Sequence, residues 1–341
     1  MAPGKRFVSL EYFLFADTYD ARSLLPCTAI VQFDRQGNLP PNHKRLCQIM
    51  YQSTHVGRWL RGFRGLVPRG SLLLAGFLLT AVSATPVSGP HGSVEVVAEP
   101  ASIEPGRAFW VGLHFQLEKG WHIYWTNPGD SGEPPKVQWS LPAGFRASPL
   151  NWPIPRRIQD HSLIDYGYQD EVLLPVEIQP PAGLGAGHDV QLGASVKWLV
   201  CREVCIPGHA TLTLTLPVKK AAPGQPSSWH PLFIRTRADL PKPAPQAWKP
   251  AARLEGQRFL LNVETGKQET AAVFFPFEPN QVENAAPQNV NSSSRGLLLE
   301  LQKSDLLLKP PPYLAGVLVV ASGAGYVIQA PVVMPDSKRT H

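Results

Sequence analysis

The sequence has few cysteines, four in 341 residues, and no Cys-x-x-Cys motif. So few cysteines exclude a disulfide-dense scaffold, and the missing motif leaves the chain without a redox site of the thioredoxin type. Gly-x-Ser-x-Gly, His-Glu-x-x-His and glycine-rich phosphate-loop motifs are absent as well. The sequence therefore gives no support to a serine hydrolase, a zinc protease or a nucleotide-binding enzyme.

Helical periodicity is also scarce, and the content of 36 prolines and 28 glycines argues against a helical bundle or a doubly wound sheet. Apolar and polar residues instead alternate with a period of two in segments such as "SVEVVAEP", "RAFWVGLHFQL" and "DVQLGASVKWLV". Turn signals separate these segments every 8 to 15 residues. We therefore predict an all-β fold with two immunoglobulin-like antiparallel β-sandwich domains in tandem.

Excess positive charge is missing from most of the chain. Residues 1–84 carry 10 Lys and Arg against 4 Asp and Glu, whereas residues 85–341 carry 22 of each sign. A neutral main body lacks the basic surface that binds a phosphate backbone, so the net charge of +6 does not indicate a nucleic-acid partner.

The sequence also lacks an apolar run long enough for a membrane-spanning helix, which needs about 20 residues. "SLLLAGFLLTAVSA" (71–84) follows four arginines and ends in small residues, as the apolar region of a secretory signal does. We predict a signal peptide at 50–84 and a periplasmic or other extracytoplasmic location; an uncleaved membrane anchor is the alternative. Residues 1–49 form an extension whose start codon is open, because a signal peptide of normal length would begin at Met50. Initiation at Met50 would remove Cys27 and Cys47 from the protein.

Composition divides the exported part into three segments. We predict a first sandwich at 93–218 and a proline-rich linker at 219–250, with a short helix at "WHPLFIRTRADL". A second, smaller sandwich is predicted at 251–335, interrupted by the polar loop "NQVENAAPQNVNSSS".

The remaining cysteines, Cys201 and Cys205, lie close together in "WLVCREVCIPG". The apolar residues before Cys201 are strand-like, 202–204 fit a tight reversal, and Pro207-Gly208 ends the segment. A disulfide needs Cα atoms about 4.4 to 6.8 Å apart, which residues facing each other across a narrow hairpin satisfy. We therefore predict that the pair can be oxidised without rearranging the fold.

Three roles are open for this pair. A structural disulfide in so small a ring stabilises by only about 2 kcal/mol, against about 4.7 for a 100-residue loop. Zinc binding with His209 as a third ligand lacks a fourth ligand nearby. A redox role requires a stabilised thiolate; Arg202 and His209 are candidate positive neighbours, and Glu203 would oppose them.

Three ordered motifs resemble the N-terminal domain of the DsbD-type thiol:disulfide interchange proteins, especially the ScsB-like branch. They are "GWHIYWTNPGDSGEPPKVQWSLPAGF" (120–145), "DYGYQDEVLLPVEI" (165–178) and "VKWLVCREVCIPG" (196–208). The resemblance implies a protein-disulfide reductase that relays electrons through Cys201 and Cys205 to oxidised periplasmic proteins. It implies further that Cys205 forms the mixed disulfide with partners.

The same resemblance places Tyr166 and Tyr168 near the cysteines as packing or shielding residues; the alternative is that both are ordinary core aromatics. Expected partners are periplasmic thioredoxin-like or disulfide isomerase-like proteins, and no cofactor or metal is expected. Because no thioredoxin-like motif or membrane bundle is found in the sequence, a separate membrane protein must donate the electrons. The alternative function is a non-enzymatic, extracytoplasmic protein-binding module with a structural disulfide.

Overall fold

The computed structural model describes residues 85–220 and 225–334, together with the backbone of two short strands, β1 (Val8–Glu11) and β2 (Thr28–Val31), which pair antiparallel. Apart from these strands, the predicted extension (1–49) and signal peptide (50–84) lie outside the described residues. The described residues 85–220 and 225–334 belong to one compact unit. Among the described residues, no helix is long and apolar enough to span a membrane.

The fold is all-β, with two immunoglobulin-like sandwiches. The first sandwich contains two antiparallel sheets. One sheet has the strand order β13 (Cys205–Pro217), β12 (Asp189–Cys201), β6 (His122–Gly129), β10 (Leu163–Gln169) and β9 (Arg156–Asp160), with β7 (Lys136–Ser140) also paired to β12. The other has the order β3 (Val87–Gly89), β4 (Gly92–Ala98), β5 (Phe109–Leu117), β11 (Glu171–Gln179) and β8 (Arg146–Ala147).

Alternating side chains build the core between these sheets. Along β12, buried residues alternate with exposed or half-buried ones over nearly the whole strand, as the period-two pattern predicts. Phe115 of β5 and Trp198 of β12 meet edge to face across the core, with ring centroids 5.6 Å apart. Each large apolar side chain buried in this way contributes about 1.5 to 3 kcal/mol, so the sandwich does not depend on a disulfide for its stability.

A short helix, α1 (His230–Ala238), is present where the sequence predicts one, with a proline in its first turn. Its Leu232 and Phe233 pack on Val97 and Leu173, which point outward from the second sheet of the first sandwich. The connection between the sandwiches is thereby attached to the first of them.

The second sandwich is a curled sheet with the strand order β17 (Ala272–Pro276), β20 (Tyr313–Val320), β21 (Gly325–Val333), β15 (Ala251–Glu255), β16 (Arg258–Val263), β19 (Gly296–Gln302) and β18 (Asn289–Ser293). The short β14 (Lys242–Pro243) also pairs with β21, and a 3-10 helix covers Gln246–Trp248. The inward side chains of the second sandwich, among them Phe259, Phe274 and Leu299, form one core. The predicted domain limits, 93–218 and 251–335, stay a prediction.

The predicted polar loop of the second sandwich is wrong in part, because Asn289–Ser293 is the edge strand β18. Its side chains are mostly exposed, so no apolar alternation marks it. An edge strand is held by backbone hydrogen bonds to one neighbour, here β19, which polar residues can supply equally well.

Candidate functional site

The cysteine pair closes the hairpin between β12 and β13. Cys201 is the last residue of β12 and Cys205 the first of β13; they face each other in register with Cα atoms 4.2 Å apart and form a disulfide. In the turn between them, the Arg202 amide donates a hydrogen bond to the Val204 carbonyl (3.2 Å). The pair is thus oxidised in this fold, with Cα atoms slightly closer than the usual range for a disulfide.

The two cysteines differ in their surroundings. Cys201 is 2% exposed and lies between two strands, since it faces His122 of β6 as well as Cys205. Cys205 is exposed, at the start of a strand on the edge of the sheet, and its neighbour Val204 is 61% exposed. An approaching protein therefore meets Cys205 first, beside an apolar residue at the tip of the turn.

The two candidate positive neighbours of the pair, Arg202 and His209, have partners of their own. The Arg202 guanidinium lies over the Trp121 ring, 5.2 Å from its centroid, and its Nε is 3.7 Å from a carboxylate oxygen of Glu203. His209 faces Lys197 farther along β13, and its Nε2 is 3.2 Å from the Ser195 hydroxyl. Arg202 therefore packs the turn against Trp121, the residue before β6, whereas His209 belongs to another part of the hairpin.

A phenol lies at the exposed cysteine. The hydroxyl of Tyr124, on β6, is 3.4 Å from the sulfur of Cys205 and 3.3 Å from the hydroxyl of Ser131. Its ring packs directly on Gly132, where a Cβ would come within 2.1 Å of the ring and where φ is +75°. Only glycine fits this position, so the loop after β6 is shaped to hold the Tyr124 ring.

A buried carboxylate lies behind the phenol. Asp165, 1% exposed, accepts hydrogen bonds from the Ser131 amide and hydroxyl, each 3.0 Å long. His122 approaches the same carboxylate with Nε2 3.3 Å away, but the geometry is not that of a hydrogen bond and Nε2 has no other partner. We call Asp165, Ser131, Tyr124 and His122 the Asp165 cluster.

The Asp165 cluster has a defined direction of donation. Because the Ser131 hydroxyl donates its proton to Asp165, it can only accept from Tyr124. The phenolic proton of Tyr124 is therefore within reach of both Ser131 and the sulfur of Cys205. When Cys205 becomes a thiolate, this proton can turn to the sulfur and stabilise the charge.

Tyr166 and Tyr168 have partners elsewhere. Both are buried in the core, and burial raises the pKa of each phenol well above its usual value. Tyr166 donates a 2.7 Å hydrogen bond to the Asn284 side chain, and Tyr168 donates one of the same length to the Pro153 carbonyl. The phenol at the Cys205 sulfur belongs to Tyr124. A shielding role for Tyr166 and Tyr168 stays a prediction.

The sequence analysis predicted no functional role for Tyr124, His122, Ser131 or Asp165. One signal was available on β6, where Ile123 and Trp125 belong to the core. A period of two places His122 and Tyr124 on the opposite face, together with the end of the cysteine hairpin.

Within the described ranges, no group of three or more His, Cys, Asp or Glu could hold a metal ion.

The β12–β13 hairpin lies in a region that matches a known protein family. The family described as "Thiol:disulfide interchange protein DsbD, N-terminal" matches residues 93–217. This region is a DsbD-type N-terminal domain. A disulfide at the end of its β12–β13 hairpin is consistent with a domain of the thiol:disulfide interchange type.

Solved structures resemble the DsbD-type domain and the sandwich after it. The N-terminal periplasmic domain of ScsB from Proteus mirabilis superposes with a TM-score of 0.55 at 17% identity, covering 74% of this chain and 99% of that one. At this identity the likeness shows the fold alone.

Two further matches score far lower. The Escherichia coli chaperone DraB has a TM-score of 0.22 at 10% identity, covering 70% of this chain and 98% of that one. A major pilin subunit of Bacillus cereus, BcpA, has a TM-score of 0.25 at 8% identity, covering 72% and 69% respectively. Both scores are too low to indicate a common fold, and no curated protein matches the chain.

Proposed function

We propose that the chain is a thiol:disulfide oxidoreductase of the protein-disulfide reductase type, which relays electrons through Cys201 and Cys205. The main support is the unequal exposure of the two cysteines at the end of one hairpin. A purely structural disulfide gains nothing from one exposed cysteine beside a phenol, whereas an exchange reaction needs one accessible sulfur and one protected sulfur.

The reaction starts from the reduced pair. The Cys205 thiolate attacks one sulfur of the partner's disulfide, so that a mixed disulfide forms and the partner's other sulfur leaves as a thiolate. The Cys201 thiolate then attacks the Cys205 sulfur, closes the disulfide of the hairpin and releases the partner's second thiolate. Two electrons pass to the partner, whose thiolates take up protons, and the donor's dithiol restores the pair by the reverse sequence.

The proposed location is the periplasm or another extracytoplasmic compartment, supported by the DsbD-type domain and the predicted signal peptide. The acceptors are thioredoxin-like or disulfide isomerase-like proteins, and a separate membrane protein donates the electrons. In this proposal Arg202 fixes the turn through Trp121, while Tyr166 and Tyr168 support the site from the core.

The reduction potential of the pair tests the redox role. The chain from residue 85 onward is equilibrated in glutathione or dithiothreitol buffers, and its thiols are counted by alkylation. We expect a value between about −180 and −270 mV, the range of exchange proteins. A value below about −300 mV, or reduction only on unfolding, contradicts the proposal and favours a binding module with a structural disulfide.

Trapping tests the order of the two cysteines. We expect Cys201→Ser to accumulate a mixed disulfide with an oxidised thioredoxin-like protein, since Cys205 can attack but nothing resolves the product. Cys205→Ser is the matched control and should trap far less. Equal trapping by both variants contradicts the assigned order. In the binding-module alternative, replacing both cysteines by serine leaves partner binding intact.

A further inference from the structure

The second sandwich is packed onto the strands that carry the Asp165 cluster. Phe275 of β17 belongs to the core of the first sandwich, where it meets Tyr166 edge to face with ring centroids 5.1 Å apart and Trp125 at 6.2 Å. Asn127 of β6 donates a 2.8 Å hydrogen bond to the Pro276 carbonyl. Strands β6 and β10 thus carry the cluster and contact the second sandwich as well.

Asn284 makes the polar contacts of this interface. It is 7% exposed, and its side-chain oxygen accepts the Tyr166 hydroxyl (2.7 Å) while its side-chain nitrogen donates to Asp130 (2.8 Å). The Arg157 guanidinium donates to its backbone carbonyl. Because the amide has an acceptor on one side and a donor on the other, its orientation is fixed.

Asp130 is held firmly by this bond. One of its carboxylate oxygens accepts a hydrogen bond from the Asn284 side chain, and the other accepts one from the Ile164 amide at 2.7 Å. Its own amide donates to the Ile164 carbonyl at 3.1 Å. The loop after β6 is therefore fixed at Asp130 between the second sandwich and β10.

The next two residues of the loop contact the phenol at the sulfur. Ser131 accepts from the Tyr124 hydroxyl and donates to Asp165, and Gly132 packs against the Tyr124 ring. A second connection runs through β10, where Asp165 binds Ser131 and the next residue, Tyr166, binds Asn284. In each connection Asn284 bonds to the direct sequence neighbour of a cluster residue: Asp130 precedes Ser131, and Tyr166 follows Asp165.

We propose that Asn284 is a positioning residue for the Cys201–Cys205 pair, through which the second sandwich sets the reactivity and reduction potential of the first. It acts by holding the 130–132 segment and hence the Tyr124 hydroxyl at Cys205. This inference rests on the proposed redox function and adds a role for the second sandwich, which carries no cysteine of its own.

The direction of the effect follows from thiolate chemistry. A hydroxyl that donates to the Cys205 thiolate stabilises the reduced pair. Without Asn284 the hydroxyl is held less well, so the thiolate is less stable. The thiol pKa should rise, and the redox equilibrium should move toward the disulfide.

Asn284→Ala in the chain from residue 85 onward tests the inference. In the Cys201→Ser background, we expect Cys205 to react with iodoacetamide about three- to tenfold more slowly at pH 7, with its pH profile displaced upward by about 0.5 to 1 unit. With both cysteines present, the redox equilibrium should shift by a similar factor, about 14 to 30 mV at 29.6 mV per tenfold change.

Two further variants separate positioning from general damage. Gln288→Ala is the control, since Gln288 makes two hydrogen bonds to the Phe274 backbone within the second sandwich and should leave the pH profile unchanged. Tyr124→Phe should reproduce the effect, and adding Asn284→Ala to it should change little more. Additive effects of the two substitutions would contradict action through Tyr124.

The inference is overturned if folded Asn284→Ala keeps the wild-type pH profile and potential. If that variant does not fold, Asp130→Asn perturbs the same loop bond and leaves the Tyr166 contact in place, so an unchanged profile there overturns it too. Failure of the proposed redox function looks different, because the wild-type pair itself would then have a reduction potential below about −300 mV.

Discussion

Two histidines are buried among the described residues, one in each sheet of the first sandwich, and they differ in how fully they are partnered. His114 on β5 has Nδ1 3.1 Å from Glu95 and Nε2 2.9 Å from Glu171. His122 on β6 has Nε2 3.3 Å from Asp165 without an aligned hydrogen bond. A buried polar group with both partners in place stabilises a fold, whereas an incompletely bonded group beside a disulfide is free to change partners.

Replacing His114 should have the largest effect on stability. His114→Ala leaves the buried carboxylate of Glu95 without its partner, and we expect a loss of about 3 kcal/mol in the free energy of unfolding. Urea denaturation measures this loss, and the reduction potential of the folded variant should match that of the wild type. A change in potential with little loss of stability would reverse the roles assigned to the two histidines.

Removing the disulfide should cost less. Cys201 and Cys205 close a ring of sequence separation 4, and the chain-entropy estimate for so small a ring is about 2 kcal/mol. Urea denaturation of the double serine variant checks this figure against His114→Ala. A loss well above that of His114→Ala would show that the disulfide, and not the hydrogen bonds of His114, makes the larger contribution to the stability of this sandwich.

Removing the charge of Asp165 should change reactivity more than stability. In Asp165→Asn a buried negative charge near the sulfur is lost, so the Cys205 thiolate forms more readily. With Cys201 replaced by serine, we expect alkylation of Cys205 at pH 7 to become about three- to tenfold faster. Glu171→Gln is the matched control at the other histidine, and an equal acceleration there would remove the distinction between the two sites.

The smallest effect is expected where a histidine and a carboxylate meet near the surface. Burial raises the pKa of Glu99, but hydrogen bonds and charge from Arg237 and His230 lower it more, so the net shift is downward. This contact attaches α1 to the residue that follows β4, with Arg237 bidentate on Glu99 at 2.6 Å. Its contribution is present above the ordinary carboxylate pKa and is lost as the pH falls through the lowered pKa.

Glu99→Gln should therefore lower the free energy of unfolding by about 1 kcal/mol at pH 7, since the pair is only partly buried. As the pH falls below the lowered pKa, the variant and the wild type should converge, because Glu99 is then protonated in both the folded and unfolded wild type. Urea denaturation at several pH values measures this. A difference that persists at low pH would show that packing, and not charge, attaches the helix.

The sequence predicted the features that depend on near neighbours. Alternation identified β4, β5, β12 and β13, and the short spacing of Cys201 and Cys205 was sufficient to predict that they face each other. β9 and β10 were not among the predicted strands, although the "DYGYQDEVLLPVEI" motif covers most of β10. The connections between β9, β10 and β11 contain no proline and no long turn, so the sequence does not show where one strand ends and the next begins.

The Asp165 cluster could not be predicted because its members are distant in sequence. Asp165 and Ser131 are 34 residues apart, and Tyr124 is 81 residues from the Cys205 sulfur that it contacts. Their meeting depends on the register between β10 and β6, which shifts at an irregularity between Asp165 and Gly167. A shift of one residue exchanges the two faces of a strand, and nothing in the local sequence marks it.

The small ring closed by Cys201 and Cys205 has a consequence for biosynthesis. A hairpin of this length forms within microseconds, so an unfolded chain already brings the two thiols together. The contacts of Asp165 and Asn284 require the closure of far longer loops and form only as the sandwiches assemble. An oxidant that meets the unfolded chain would therefore join the native pair, and the oxidation state of the hairpin would give no indication of whether the protein has folded.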